Sequence, residues 1–221
     1  MDDLIADFHI HSKYSHDSLM SPAGIVKTAR KAGLTCIAIT DHDTIRGSAE
    51  AGKVGKKYGI SVITAAEIKT DCGDIIGLYL NEEIRDRQWH EVICAIRDQG
   101  GIAVLPHPYR DHCDIVSLAR EVDFIETWNS RCSPVENARS LELATGTGKK
   151  RIIGSDAHSS DEIGLAKSRV DGRTLELKEV LRSDVCPSWG IEKSQIISHI
   201  KRGELITLMV RGGGYLWRKI T

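Results

Sequence analysis

An α/β fold with a mostly parallel sheet is what this sequence predicts, and three observations predict it. Short apolar runs rich in β-branched residues alternate with longer amphipathic runs. Helix-start and helix-stop residues sit between them at the expected places. Histidine gathers at the C-terminal ends of the apolar runs, where parallel α/β folds build their sites.

The apolar runs are Leu4–His9, Thr35–Thr40, Ser61–Ala65, Ile75–Leu80, Ile102–Leu105, Asp123–Trp128 and Arg151–Gly154, which gives seven expected strands. Pro22–Ala32 is a helix, opened by Ser21-Pro22 and stopped by Gly33. Ser48–Tyr58 stops before Gly59, and Asn81–Gln99 stops at Gly100-Gly101. Asp114–Glu121 and Ser133–Thr145 follow, the latter with Pro134 in its first turn. The third and fourth strands lie too close in sequence for a crossover helix, so a hairpin joins them. Beyond residue 165, helices are expected at Leu175–Arg182 and Lys193–Lys201, before the glycine-broken tail around Gly212–Gly214. Seven strands suit either an open doubly wound sheet or a closed barrel. No Gly-rich phosphate loop follows a strand, which weakens the nucleotide-cofactor versions of the open sheet.

The composition sets limits. The chain has 221 residues, 30 Lys+Arg against 31 Asp+Glu, and a formal net charge of -1. That length suits one domain, residues 1–221, with a core over about 5–165 and a helical C-terminal extension over 166–221. The balanced charge argues against a nucleic-acid scaffold and leaves any phosphate binding local. No apolar run is long enough to span a membrane, and the acidic N-terminus lacks a signal core, so a cytoplasmic location is expected. The six cysteines form no C-x-x-C pair and read as reduced thiols.

Five of the nine histidines fall at expected strand ends: His9 and His11, His42, His107 and His158. Glu67 lies near the end of the third strand, and Asp156 two residues before His158. Residues two apart on a strand share a face, so His9 pairs with His11, and Asp156 with His158. Imidazole and carboxylate converging on one mouth are ligands for zinc, iron or manganese.

These residues also carry a resemblance. Asp7-Phe-His-Ile-His-Ser12, Tyr14-Ser-His-Asp-Ser18, Ile39-Thr-Asp-His-Asp-Thr44 with Gly47, Glu67, His107-Pro108 and Gly154-Ser-Asp-Ala-His158 run in the order of the PHP (polymerase and histidinol phosphatase) family. The chain resembles its stand-alone metal-dependent phosphoesterases over about residues 7–165. The resemblance implies a distorted seven-stranded (β/α)7 TIM-like barrel with its site at the C-terminal strand ends. It implies two or three divalent ions, with manganese, zinc or iron expected and magnesium admissible. His9, His11, Glu67 and Asp156 would hold the first, Glu67 and His107 the second, and Asp17, His42 and His158 the third. Many members carry a His where this chain has Asp74, in Gly73-Asp-Ile-Ile-Gly77. As a harder ligand, Asp74 would tilt the second site toward manganese or magnesium; otherwise it is a turn residue and the second site is weaker.

The expected chemistry is phosphate-ester hydrolysis. Cations sharing Glu67 would lower the pKa of a bridging water, and that hydroxide would attack phosphorus. Arg110 and Arg131, just past the fifth and sixth strands, are the candidate phosphate clamps. Asp41 either orients an imidazole or caps its turn. His16 and His112 read as surface histidines, with a general-acid role as the alternative. The expected substrate is a small phosphorylated metabolite or nucleotide. Competing readings are a nuclease on short oligonucleotides, a non-catalytic metal-binding module, and a metal-dependent amidohydrolase. Glu67 in place of a bridging lysine disfavours the last. The oligomeric state is not read from the sequence.

Overall fold

The computed structural model describes residues 2–204. The tail around Gly212–Gly214 lies outside the described residues. One mixed sheet is wound into a nearly closed barrel. Its strands are β1 (Leu4–Ile10), β2 (Cys36–Ile39), β3 (Ser61–Thr70), β4 (Gly73–Leu78), β5 (Ile102–Leu105), β6 (Phe124–Asn129), β7 (Lys150–Gly154), β8 (Ala166–Val170) and β9 (Leu177–Ser183), in the order 7-6-5-4-3-2-1-8-9. β1 to β3 run parallel, as do β5 to β7, and β4 is antiparallel to both of its neighbours. Closure comes just past β7, where Ala157 exchanges backbone hydrogen bonds with His9 on β1 and His11 just beyond it.

The sheet therefore has nine strands where seven were expected. The extra pair, β8 and β9, hangs antiparallel on the outer edge of β1. This also corrects the helix expected over Leu175–Arg182 and the helical character of the extension from 166. Asp171 Oδ1 accepts from the backbone N–H groups of Arg173 and Thr174, and the turn sends the chain back along β8. A short run of leucine, valine and charge fits a helix or an exposed edge strand equally well; only the partner β8 decides.

The helices are α1 (Pro22–Lys31), α2 (Arg46–Tyr58), α3 (Trp89–Asp98), α4 (Ile115–Glu121), α5 (Pro134–Thr147) and α6 (Ser188–Lys201). Their ends follow sequence chemistry. The Ser21 side chain caps α1, Asp114 caps α4, and Ser133 with Glu136 forms a capping box on α5. α3 begins eight residues later than expected. Residues 81–88 are irregular because Gln99 Oε1 accepts from the backbone N–H groups of Asn81 and Glu82, and Asp71 takes the N–H of Trp89. Apolar side chains fill the barrel (Phe8, Ala38, Ile76, Val104) and the layer under the helices. No described helix is long and apolar enough to cross a membrane.

Two cysteines depart from the expectation of free thiols. Cys72, in the β3–β4 turn, and Cys113, before α4, form a disulfide with Cα atoms 5.1 Å apart. They are 41 residues apart in sequence. Spacing alone could not reveal that these two segments meet at one rim.

Candidate metal centre

The candidate ligands come together at one mouth of the barrel. β1 delivers His9 and His11. The parallel β2–β3 pairing continues past β2, where Asp43 N donates to Glu67 O and Glu67 N to Asp41 O, which sets His42 beside Glu67. β4 runs antiparallel, so its start rather than its end lies at this mouth, and Asp74 comes with it. β5 leads into His107, and β7 into Asp156 and His158. His107 and Asp156 have positive φ angles of 29° and 54°, a strained backbone for residues with side chains and one that recurs at functional sites.

Glu67 stands at the centre and is 2% exposed. Its Oε1 lies 2.9 Å from His107 Nε2. Its Oε2 lies 3.5 Å from His9 Nε2, 3.4 Å from His11 Nε2 and 3.3 Å from His42 Nδ1. Asp156 Oδ1 lies 3.6 and 3.2 Å from the same His9 and His11 nitrogens. Asp17 Oδ2 is 3.1 Å from both His42 Nε2 and His158 Nε2. Asp74, Glu67 and His107 form one further group of convergent ligand atoms. Two ligands each held near 2.1 Å from one ion sit about 3.0–3.4 Å apart, and most of these separations match.

Three imidazoles are turned the same way. Nδ1 of His9 donates to Glu126 Oε1, Nδ1 of His11 to Ser15 Oγ, and Nδ1 of His158 to the Asp156 carbonyl. Nε2 is thereby left to face the carboxylates, the tautomer a metal ligand needs. His9 Nε2, His11 Nε2, His107 Nδ1 and Asp17 Oδ1 are buried with no hydrogen-bond partner. Buried polar atoms are rarely left this way without an ion or water to complete them. The donor set fits divalent cations.

The electrostatics point the same way. Burial works to raise the Glu67 carboxyl, but His9, His42 and His107 outweigh it and hold Glu67 well below the usual carboxylate range. Asp156 is likewise depressed, against its burial, by His9 and Arg110. Burial works to lower His42, and Glu67 with Asp17 overcomes it, bringing the imidazole up to about 9. The carboxylates are thus held as anions by the cationic groups around them. Asp74, half-buried, is pushed up to about 6 by burial and by Glu67.

The structure reveals a supporting layer that motif reading did not assign. Glu126, in the middle of the apolar β6 run, orients His9 and also accepts from His107 N and Asn129 Nδ2. Gly154 lets it approach, because a Cβ there would collide with Glu126 Oε1 and the His9 Cβ. Asp7, in β1, holds the loop that carries Asp156 by accepting from Ser155 N and Oγ and from Gly164 N. A charged residue inside an otherwise apolar strand was the available signal in both cases. Asp41 accepts from Ser12 N and Oγ and shapes the loop after β1.

Arg110 reaches into the cluster, with Nη2 2.6 Å from Asp156 Oδ2. Arg131 borders the same cavity, but its guanidinium is engaged by Glu162 Oε2 and Ser194 Oγ, each at 2.8 Å. The His112 ring lies between the carbonyls of Arg110 and Asp74, with Nδ1 2.9 Å from the first and Nε2 2.8 Å from the second, and as a neutral imidazole donates to one of them, bringing two rim segments together. His16 stacks on His42 with ring centroids 4.6 Å apart.

The PHP domain family model matches residues 7–183. The chain belongs to the PHP domain family. An uncharacterized protein of Methanocaldococcus jannaschii is 41% identical over 139 residues, which is 57% of this chain and 81% of that relative. A 5'-3' exoribonuclease of Haemophilus influenzae is 43% identical over 65 residues, covering 29% of this chain and 23% of its own length. A 3',5'-nucleoside bisphosphate phosphatase of Chromobacterium violaceum is 32% identical over 76 residues, covering 33% and 26%. Among solved structures, a two-domain Bacteroides vulgatus protein containing a predicted PHP-like metal-dependent phosphoesterase matches with a TM-score of 0.66 at 19% identity. That match covers 87% of this chain and 62% of the other and speaks to the fold.

Proposed function

We propose that this PHP protein is a metal-dependent phosphoesterase that hydrolyses a phosphate ester of a small metabolite or nucleotide. One observation carries the reading: buried imidazoles with uncompleted nitrogens surround Glu67, whose two oxygens face different histidines. In this reading His9, His11, Glu67 and Asp156 hold the first ion, Glu67, His107 and Asp74 the second, and Asp17, His42 and His158 the third. Bound divalent ions supply charge neutralisation at phosphate oxygens and a water acidified toward neutrality. The protein's own part is to fix the ligands and present a cation to the substrate. Arg110 is charged at every relevant pH and sits at the rim, so it clamps the non-reacting phosphate oxygens. Arg131 is the weaker clamp, since its side chain is 7% exposed against 31% for Arg110 and its guanidinium is shared among Glu162, Ser194 and Gly190; its part is to hold the segments around the site.

The test is phosphate release from p-nitrophenyl phosphate with added manganese, before and after chelation. Release that chelator abolishes and metal restores is the expected result. Inactivity with manganese, zinc, iron and magnesium alike, on a protein that still binds metal, would leave the non-catalytic module standing. The exoribonuclease match favours a second reading, a nuclease on short oligonucleotides, and a parallel assay with 5'-phosphorylated oligonucleotides separates the two.

A further inference from the structure

The metal-facing cavity has a volume of about 240 Å³, and α6 lines part of it through Ile191, Ser194 and Gln195. A helix usually docks through an apolar stripe. α6 has little of one. Trp189, Ile196 and Ile200 are exposed, and of its buried positions Gly190, Ser194 and Ile197 only Ile197 brings a large apolar side chain. Lys201 Nζ donates to the carbonyls of Lys13, Ser15 and Ser18 at 2.7–2.8 Å, gripping the loop that carries Asp17. Ser194 Oγ and Gly190 O accept from Arg131, which is paired to Glu162. Glu162 in turn accepts from His158 N. Gly190 permits the close approach, since a Cβ there would meet Glu162 Oε1 at 2.8 Å. Directional bonds at both ends fix the register of α6 more tightly than apolar burial would, so Ile191 stays over the cavity.

We propose that α6 is the substrate-selecting wall of this pocket, with Ile191 meeting the leaving group and Lys201 as its latch, and that it confines the site to terminal phosphate monoesters of compact molecules. The inference rests on the phosphoesterase reading. With phosphate on the ligand cluster and Arg110 beside it, the ester's other half must lie against α6. A cavity of this size is smaller than those that enclose drug-sized ligands. A polynucleotide needs a groove that tracks its backbone past the reacting phosphate, and here α6 lines the cavity at that point. Ile191 is the selecting residue because the Ser194 hydroxyl is already held by Arg131 and by the Ile191 carbonyl.

The experiment compares kcat/KM for p-nitrophenyl phosphate, 1-naphthyl phosphate and a 5'-phosphorylated hexanucleotide, with manganese. The proteins are wild type, Ile191→Ala, Ile191→Trp, Lys201→Ala and Lys201→Arg, with bound metal measured in each. Wild type should prefer p-nitrophenyl phosphate over the hexanucleotide by about 100-fold. Ile191→Ala should shift the naphthyl-to-nitrophenyl ratio up by about tenfold, and Ile191→Trp should shift it down, the usual scale for reshaping an apolar pocket. Lys201→Ala should relax the discrimination and Lys201→Arg restore it. A merely structural helix would lower all rates together and leave the ratios alone. Turnover with ratios unmoved in both Ile191 variants, or hexanucleotide hydrolysis matching the small ester in wild type, overturns this proposal alone. No turnover of any ester overturns the phosphoesterase reading with it.

Discussion

The candidate ligands on strand ends and those on connecting loops are held by different means. His9, His11 and Glu67 belong to or directly follow paired strands, and each is 2% exposed or less. The sheet's own hydrogen bonds place them, and Glu126 and Ser15 set two of the rings. Asp17 and Arg110 sit on loops, where no ladder fixes the backbone, and Asp74 pairs with Lys69 near the end of the β3–β4 ladder, next to its turn. Side-chain staples do that work instead. Lys201 grips the Asp17 loop. The Cys72–Cys113 disulfide and His112 join the Asp74 hairpin to the Arg110 loop. The floor of the site is thus preorganised by backbone pairing, and its rim by long-range crosslinks that can be cut one at a time.

Cutting the floor should have the largest effect. Glu67→Gln removes the shared carboxylate charge, and turnover of p-nitrophenyl phosphate should fall by about 10³-fold or more with loss of bound metal. Near-normal rates at unchanged metal content would remove Glu67 from the centre. Next comes the layer beneath. In Glu126→Gln an amide must replace a carboxylate that accepts from His9, His107 N and Asn129. Metal affinity should weaken by about 10–100-fold, as measured by competition with a chelator dye. An unchanged affinity would mean that the ladder alone positions His9.

The rim should yield smaller and more separable effects. Cys72→Ser with Cys113→Ser should lower stability by about 2–4 kcal/mol, read from denaturant unfolding. It should also release the ion nearest Asp74 before the others, as followed by metal stoichiometry during dialysis. Uniform loss of all metal, or none, would show that the disulfide does not act on that pole. Arg110→Ala should raise KM for phosphate esters by about tenfold with little change in metal content. If KM and kcat both stay put, the phosphate clamp lies elsewhere and the Arg110–Asp156 contact is only structural.

Much of the floor was legible in the chain itself. H-x-H at the end of an apolar run, a carboxylate at the end of another and D-x-H at a third are local patterns, and strand periodicity fixes which side chains share a face. The rim was legible only in part. Asp74 was ambiguous between ligand and turn residue because its role depends on β4 running backwards, which brings the strand's start to the mouth. Arg131 read as the second candidate clamp after Arg110, since each follows a strand end. Their difference lies in Glu162 and Ser194, which are 31 and 63 residues further along the chain.

The alternation of runs, the caps on α1 and α5 and the histidines at strand ends were settled by the sequence alone, because each depends on residues within one or two turns of one another. Tertiary structure decided whether Leu177–Ser183 is strand or helix, which cysteines pair, that Glu126 serves His9 and that α6 walls the pocket. Each of these rests on a partner far away in the chain, and whether such partners meet is fixed only when the barrel closes between β1 and β7.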